Sequence, residues 1–258
     1  MQSIDRHKKI VSLVKVKGVV SVEDLASEFG TTPQTIRADL RELDATKKLV
    51  RIHGGAKLID GRENMEYEER RQIAARQKIE IGKHAAALIP DNSSLFVNIG
   101  TTTEAVCDQL VDHKGLLVIT NNINVANKLR VYREIEVVIA GGAVRMTDGG
   151  IVGEAAVDFI KQFKVDNAII GSSAIDQDGA LLDFDFREVK VAQAIIENSR
   201  NVILAADSTK FERSAPVRIG HLSQVDVFVT DRIAQDSIRK ICAESKVELV
   251  ETDSSTAP

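Results

Sequence analysis

Residues Ser21 to Ala56 read SVEDLASEFGTTPQTIRADLRELDATKKLVRIHGGA, and this stretch decides how the chain begins its fold. Ser21 stands three residues before Asp24 at the head of an apolar run, the hydroxyl-then-acid spacing of a helix N-terminus. Val20 and Leu25 suit the hydrophobic pair that flanks such a start. Val22, Leu25, Ala26 and Phe29 then recur at i, i+3, i+4 and i+7, so one stripe is buried until Gly30 stops the helix. Thr32 and Pro33 open a second helix at once, because proline at the first helical position lacks only an N–H that would have no acceptor there.

The spacing predicts that this second helix runs to Lys48. At about 100° per residue, Ile36, Leu40 and Leu43 share a narrow face. Gln34, Arg37, Ala38, Arg41, Ala45 and Lys48 share the opposite one, with Asp39 and Glu42 to the side. An outward face of long donors and small residues suits the major groove of a duplex, where Arg can fork onto a guanine edge and Gln onto adenine. Two short strands, Leu49–His53 and Ala56–Ile59, are expected to join through Gly54-Gly55, a pair that tolerates positive φ. The expected DNA-contacting set is Ser21, Thr32, Gln34, Thr35, Arg37, Arg41, Lys48, Arg51, His53 and Lys57. An ordinary surface histidine is an equal reading of His53.

Charge divides along the same line. Up to Lys57 there are 11 Lys and Arg against 7 Asp and Glu; beyond it there are 23 against 31. A basic head on an acidic body fits a protein whose head alone meets a polyanion. The 258 residues, 43% of them hydrophobic, suffice for one large domain and one small one. Cys107 and Cys242 lie far apart without metal-ligand spacing, so reduced, buried thiols are expected and neither metal nor cofactor is. No apolar run approaches the ~20 residues of a membrane span and no signal peptide is visible, which points to the cytoplasm.

From Gly61 to Lys83 the chain is dense in charge. A joint near Asp60–Asn64 is expected to lead into a helix whose buried side holds Ile73, Ile81, Ala85 and Leu88. Short β-branched runs follow at 95–99, 117–120, 137–140, 168–171, 202–206 and 225–230, most of them with a helical stretch after them. This is the pattern of a mainly parallel sheet covered on both faces, an α/β body in which ligands sit beyond the carboxyl ends of the strands.

Gly100-Thr101-Thr102-Thr103 after the first run offers close backbone approach, amides and hydroxyls to a phosphate. Asn98 stands near the end of the first run itself, while Asn121, Asn122, Gly141, Gly142, Asp207 and Lys210 stand at other strand ends, with Lys210 the expected counter-charge in a body lacking another obvious cation there. Asp185 and Glu188 are candidates for ligand hydroxyls or a solvated helix start. An enzyme would need a carboxylate base and a cation for a developing enediolate. Asp176, Asp178, Asp183 and Asp185 supply carboxylates, yet Ser172–Phe186 contains no Lys, so no catalytic residue is expected. Asp178-Gly179 reads as a hairpin turn.

These motifs carry a resemblance. Thr32–Arg37 (TPQTIR), Asp39-Leu40 and His53–Ala56 (HGGA) resemble the N-terminal signature of DeoR-type bacterial transcription repressors. Ile99–Thr102 (IGTT), Thr120-Asn-Asn122, Ala140-Gly-Gly142 and Asp207–Phe211 (DSTKF) resemble their sugar-phosphate sensor, over about Arg6 to Asp231. The resemblance implies a winged helix-turn-helix fused to a sensor folded like ribose-phosphate isomerases and CoA transferases, working as a dimer or tetramer whose repression a phosphorylated metabolite relieves. Thr120–Asn127 (TNNINVAN), Asp148–Glu154 (DGGIVGE) and Ala194–Arg200 (AIIENSR) are similar to family members governing glycerol catabolism. That similarity implies glycerol 3-phosphate as effector, with fructose 1-phosphate as the alternative. Ala38 stands where the family usually has Arg, and Asn98 where it usually has Asp. The expected division is 1–59 for DNA binding, 60–74 for a linker and the start of a connecting helix, 75–252 for the sensor and 253–258 for a disordered tail.

Overall fold

The structure is a computed structural model describing residues 3–17, 19–46, 48–52, 54–57 and 67–253. The chain divides into two compact units, Met1–Asn64 and Met65–Pro258. His53, the expected joint at 60–64 and tail residues 254–258 lie outside the described residues.

The first unit runs α1 (Ser3–Lys17), β1 (Val19–Ser21), α2 (Val22–Glu28), α3 (Pro33–Ala45), β2 (Val50–Ile52) and β3 (Gly55–Lys57). Both caps form as the sequence predicts: Ser21 Oγ accepts the Asp24 amide at 3.0 Å and Thr32 Oγ1 accepts the Thr35 amide at 3.2 Å. The second helix ends at Ala45 rather than Lys48, because the Thr46 hydroxyl donates back to the Glu42 carbonyl at 2.8 Å and closes the last turn. Ile36, Leu40 and Leu43 are buried with Leu25, Ile10 and Val14, so α1 supplies a third helix to this core.

The strands form an antiparallel sheet in the order β1-β3-β2. The two glycines of the turn have different duties. Gly54 takes φ +78°, whereas a Cβ on Gly55 would stand 2.1 Å from the Val20 carbonyl oxygen of β1. Only glycine lets β3 pass that close.

The second unit begins with α4 (Tyr67–Gln72) and α5 (Ala75–Ala87), followed by β4 (Ser94–Val97), α6 (Thr101–Cys107), β5 (Leu116–Thr120), α7 (Ile123–Leu129) and β6 (Ile135–Ile139). A small hairpin, β7 (Ala143–Val144) and β8 (Ile151–Val152), leads through α8 (Glu154–Ile160) to β9 (Val165–Ile170). Next come β10 (Ala174–Ile175), β11 (Ala180–Asp183), α9 (Phe186–Glu197), β12 (Ser199–Ala205), β13 (Val217–His221), β14 (Val227–Thr230), α10 (Asp236–Glu244) and β15 (Glu248–Glu251). The single helix expected across the charged segment is two helices, broken where Ala74 adopts φ +51°.

Seven of these strands form one parallel sheet in the order β15-β14-β12-β9-β4-β5-β6. Both faces are covered, and the alternation shows it: Leu95 and Val97 pack into one core, Phe96 between them into the other. A three-stranded antiparallel sheet, β10-β11-β13, stands apart, and Gly179 makes the expected turn between β10 and β11 at φ +84°. The chain builds outward from β4 through β5 to β6, then returns to β9 and builds the other way. The topological switch therefore lies between β4 and β9, and it is there that a parallel sheet opens a crevice. Cys107 and Cys242 are both free and buried. Among the described residues no helix is long and apolar enough to cross a membrane.

Candidate functional site

In the first unit α3 presents Gln34, Arg37, Ala38, Arg41 and Ala45 to solvent, and Lys48 follows exposed beyond its end. Arg37 is half exposed, with Glu23 of α2 at 3.8 Å. Asp39 belongs to the core and not to the side of this face. Its carboxylate accepts Arg6 Nε at 2.5 Å and Nη2 at 2.9 Å, and lies 3.0 Å from His7 Nε2. Burial opposes the charge, but the Arg6 and His7 hydrogen bonds outweigh it and hold the Asp39 carboxyl below its usual range. The bridge ties α1 to the underside of α3, fixing the angle at which the outer face is offered. The Ser21 and Thr32 hydroxyls are engaged in capping, and Thr35 Oγ1 lies 3.0 Å from Thr32 Oγ1. Arg51 is exposed on β2, and Lys57 stands at the end of β3.

In the second unit a cleft lies at the switch point. Gly100, Thr101, Thr102 and Thr103 line it after β4, and Gly171, Ser172 and Ser173 line it after β9. Lys210 enters from beyond β12, Asp183 and Glu188 from β11 and α9, and Arg70 from α4. Gly100, at φ +152°, lets the chain turn into α6, and the Thr103 hydroxyl caps that turn on the Gly100 carbonyl at 2.7 Å.

One side of the cleft is crowded with positive charge. Burial pushes Lys210 down to about 8; Asp207 opposes the fall, while Arg213, Lys78 and Arg70 add to it. Lys78 is lowered in the same way, first by burial, with Asp207 Oδ2 4.0 Å away as its counter-charge. Four cations thus gather near Asp207, with Asp148 pairing Arg70 at 3.0 Å and Asp183 acting on Arg213. Arg70 Nε, Arg213 Nη1 and Ser172 Oγ are buried with no hydrogen-bond partner. Buried donors are ordinarily satisfied, so clustered orphans beside unneutralised charge describe a seat for an anion.

The other side is acidic. Asp183 accepts the Ser173 hydroxyl at 2.8 Å and the Phe184 amide at 2.6 Å. Glu188 is raised to about 8, by burial first and by Asp183 second, although Arg145 Nη2 lies 2.5 Å from it. That guanidinium is shared: it also holds Asp148 at 2.7 Å and Asp185 at 3.3 Å.

Six residues predicted from the sequence meet in the cleft: Gly100, Thr101, Thr102, Thr103, Glu188 and Lys210. The others stand elsewhere. Asn98 is buried at the end of β4 but does not line the cleft. Asn121 donates to the Ile151 carbonyl at 3.1 Å, and Asn122 donates to Glu104 Oε1 at 3.0 Å while capping α7. Gly141 and Gly142 are exposed beyond β6. The reason is topological, since β5 and β6 lie one and two strands outside the switch. Asp185 caps α9 by accepting the Arg187 amide at 2.9 Å, and the Arg187 side chain holds its carboxyl down at about 2. Asp207 stands behind Lys210 as its counter-charge.

Arg70, Lys78, Arg213, Ser172 and Ser173 were not among the predicted residues, and Lys210 is not the body's lone cation at the strand ends. Gly171-Ser172-Ser173 did carry a signal, because it repeats Gly100-Thr101-Thr102 at the adjacent strand end.

Comparison with known proteins accords with both units. The family described as "DeoR-like helix-turn-helix domain" matches residues 6–62, and "DeoR C terminal sensor domain" matches residues 73–232. The chain is 44% identical over 249 residues to the glycerol-3-phosphate regulon repressor of Escherichia coli (strain K12), covering 96% of this chain and 99% of that one. It is 46% identical over 245 residues to the protein of the same name from Haemophilus influenzae, covering 95% of each. Ribose 5-phosphate isomerase A from Neisseria gonorrhoeae aligns over 52% of either chain at 12% identity and a TM-score of 0.39, a likeness that carries no argument about function.

Proposed function

The chain belongs to the DeoR family of transcription repressors, and on that premise we propose that it binds operator DNA through α3 and is released when glycerol 3-phosphate fills the cleft at the β4–β9 switch. The observation that carries the effector is the cluster of Arg70, Lys78, Lys210 and Arg213 around Asp207, with partnerless donors on Arg70, Arg213 and Ser172. A phosphate dianion supplies the missing acceptors and charge together. Asp183 and Glu188 on the far side would accept the ligand's hydroxyls. Fructose 1-phosphate is the alternative of the same chemistry.

One chain offers one recognition helix, and a single small head gives modest affinity, so repression needs at least a dimer on repeated half-sites. Residues 1–59 form the reader, 60–74 the connection, 75–252 the sensor and 253–258 a tail, and the protein acts in the cytoplasm. Ligand release follows from tighter binding to a conformation whose heads are misplaced for DNA; coupling of about 5- to 150-fold is usual.

Glu188 and Lys210 share the cleft as the base and cation of an isomerase would. Arg145 occupies Glu188, however, and the relatives above are named repressors. Binding without turnover is therefore the reading we favour.

The test is fluorescence anisotropy of promoter DNA at fixed salt, because phosphate contacts make affinity steeply salt-dependent. Titration with glycerol 3-phosphate should release the DNA, with other sugar phosphates as comparison, and the metabolite should be recovered unchanged. Conversion of the metabolite, or DNA affinity that no sugar phosphate alters, would overturn the proposal.

A further inference from the structure

Between the DNA-reading unit and the sensor the described chain resumes at α4, and α4 is attached in an unusual way. Its six residues are exposed or only partly buried, so little apolar packing holds it down. Two side chains and one lysine do. Tyr67 donates its hydroxyl to Glu104 Oε2 at 2.6 Å and accepts Asn124 Nδ2 at 2.9 Å. Glu104 sits on α6, the helix that begins with the cleft threonines Thr101 to Thr103. Arg70 reaches Asp148 Oδ2 at 3.0 Å, and Lys78 donates to the Arg70 and Ile73 carbonyls. Immediately beyond, Ala74 at φ +51° breaks the run and sets α4 off from α5 as a separate helix.

Arg70 also lines the cleft, and its Nε is buried without a partner. Asp148, its ion-pair partner at 3.0 Å, can spare it. Asp148 already accepts Arg145 Nε at 2.8 Å and Nη2 at 2.7 Å, together with the Gly150 amide at 3.2 Å, and stays satisfied when Arg70 leaves. Arg70 has no comparable reserve, and a phosphate in the cleft offers it a bidentate acceptor.

We propose that Arg70 is a ligand contact and the transmitting residue: it exchanges Asp148 for the ligand's phosphate, and the exchange shifts α4, the segment through which the chain leads to its DNA-reading unit. The proposal rests on the phosphate reading of the cleft and adds the route by which occupancy is felt. A helix fastened by a few polar contacts is the kind of element whose local equilibrium a ligand can tip.

The test uses the full chain, glycerol 3-phosphate as probe, calorimetry for ligand binding and anisotropy for DNA release. Arg70→Ala should bind the ligand on the order of tenfold more weakly or worse, as loss of a charged hydrogen bond does. Even at saturating ligand it should release less of its bound DNA than the parent does. Lys210→Ala should also bind weakly but release DNA fully once saturated, because it contacts ligand without belonging to α4. Tyr67→Phe, which loosens α4 without touching the ligand, should bind normally and release less; it decides the matter if Arg70→Ala fails to fold by circular dichroism. Full release by both α4 variants at saturation would overturn the proposal, as would unchanged ligand affinity in Arg70→Ala. If the unmodified protein binds neither glycerol 3-phosphate nor inorganic phosphate, the reading of the cleft itself falls, a result distinct from the other two.

Discussion

Both units carry clustered cations, and they hold them in opposite ways. On α3, Arg37 and Arg41 are exposed, and Arg37 keeps 49% of its side-chain surface in water. At the cleft the side chain of Arg70 keeps 11% and Lys210 is buried, as is Lys78 behind them. Exposed cations bind a polyanion by releasing its counterions, so they give affinity that fades with salt and reads whatever base edges lie within reach. Buried cations act where screening is weak, and their crowding makes them sensitive to protons. A repressor needs both: a reversible grip on a long duplex and a selective grip on one small anion.

The contrast can be broken most forcefully at Asp39, the one buried ion pair on which the exposed set depends. Asp39→Ala leaves Arg6 without its carboxylate in a nearly closed site and should lower the stability of the first unit by about 3 kcal/mol. Denaturant unfolding followed in the full chain would show it as an early transition absent from the parent; coincident transitions would mean the bridge is dispensable.

Next in size are the exposed cations themselves. Arg37→Ala and Arg41→Ala should each weaken operator binding by about tenfold and flatten the dependence of log affinity on log salt by roughly one charge. Ligand affinity measured by calorimetry should not move. Unchanged operator affinity in both would show that another element reads the duplex.

The buried set is sharpened by pH. Lys210 sits near 8, so ligand affinity should be level below that value and fall above it, by at most about tenfold per pH unit for one proton. Stability of the ligand-free protein moves the other way. Between 8 and the ordinary 10.5 the unfolded lysine holds a proton that the folded one has shed, so this group adds stability as pH rises through that window. Ligand titrations at pH 7, 8, 9 and 10 with Lys210→Met as reference would separate its contribution; parallel profiles in the two proteins would remove Lys210 from the site. The smallest effect is at Glu23, which competes with DNA for Arg37 at 3.8 Å across an exposed gap. Glu23→Gln should raise operator affinity by about two- to fivefold.

Local chemistry was legible wherever it was decided locally. The Ser21 and Thr32 caps, the core stripe Ile36-Leu40-Leu43 and six of the seven strands of the parallel sheet follow from spacing a few residues long. α1 was not read, since only Ile10 and Val14 of its described side chains are fully buried. β1 and β15, three and four residues long, exist through pairing with β3 and β14, which a linear reading does not contain. The break at Ala74 falls on the residue type with the best helix propensity.

At the cleft the sequence identified the class of residue at each strand end but not which ends converge. Topology chose β4, β9 and β12 and left Asn121, Asn122 and the Gly141-Gly142 pair to structural work. Arg70 and Lys78 stand in a stretch dense in charge where nothing local marks them out; their enclosure depends on Asp148 and Asp207, remote in the chain and brought near by the fold.

The central pairing of the sheet joins Leu95 to Asn167 and Phe96 to Ala168. A nascent polypeptide leaving the ribosome has therefore exposed every residue of the three-stranded wing long before the crevice between β4 and β9 can close, and longer still before Lys210 emerges. Vectorial synthesis would make this molecule able to grip a chromosome first and able to let go last. A message cut short past the wing would encode a DNA-reading unit without its sensor.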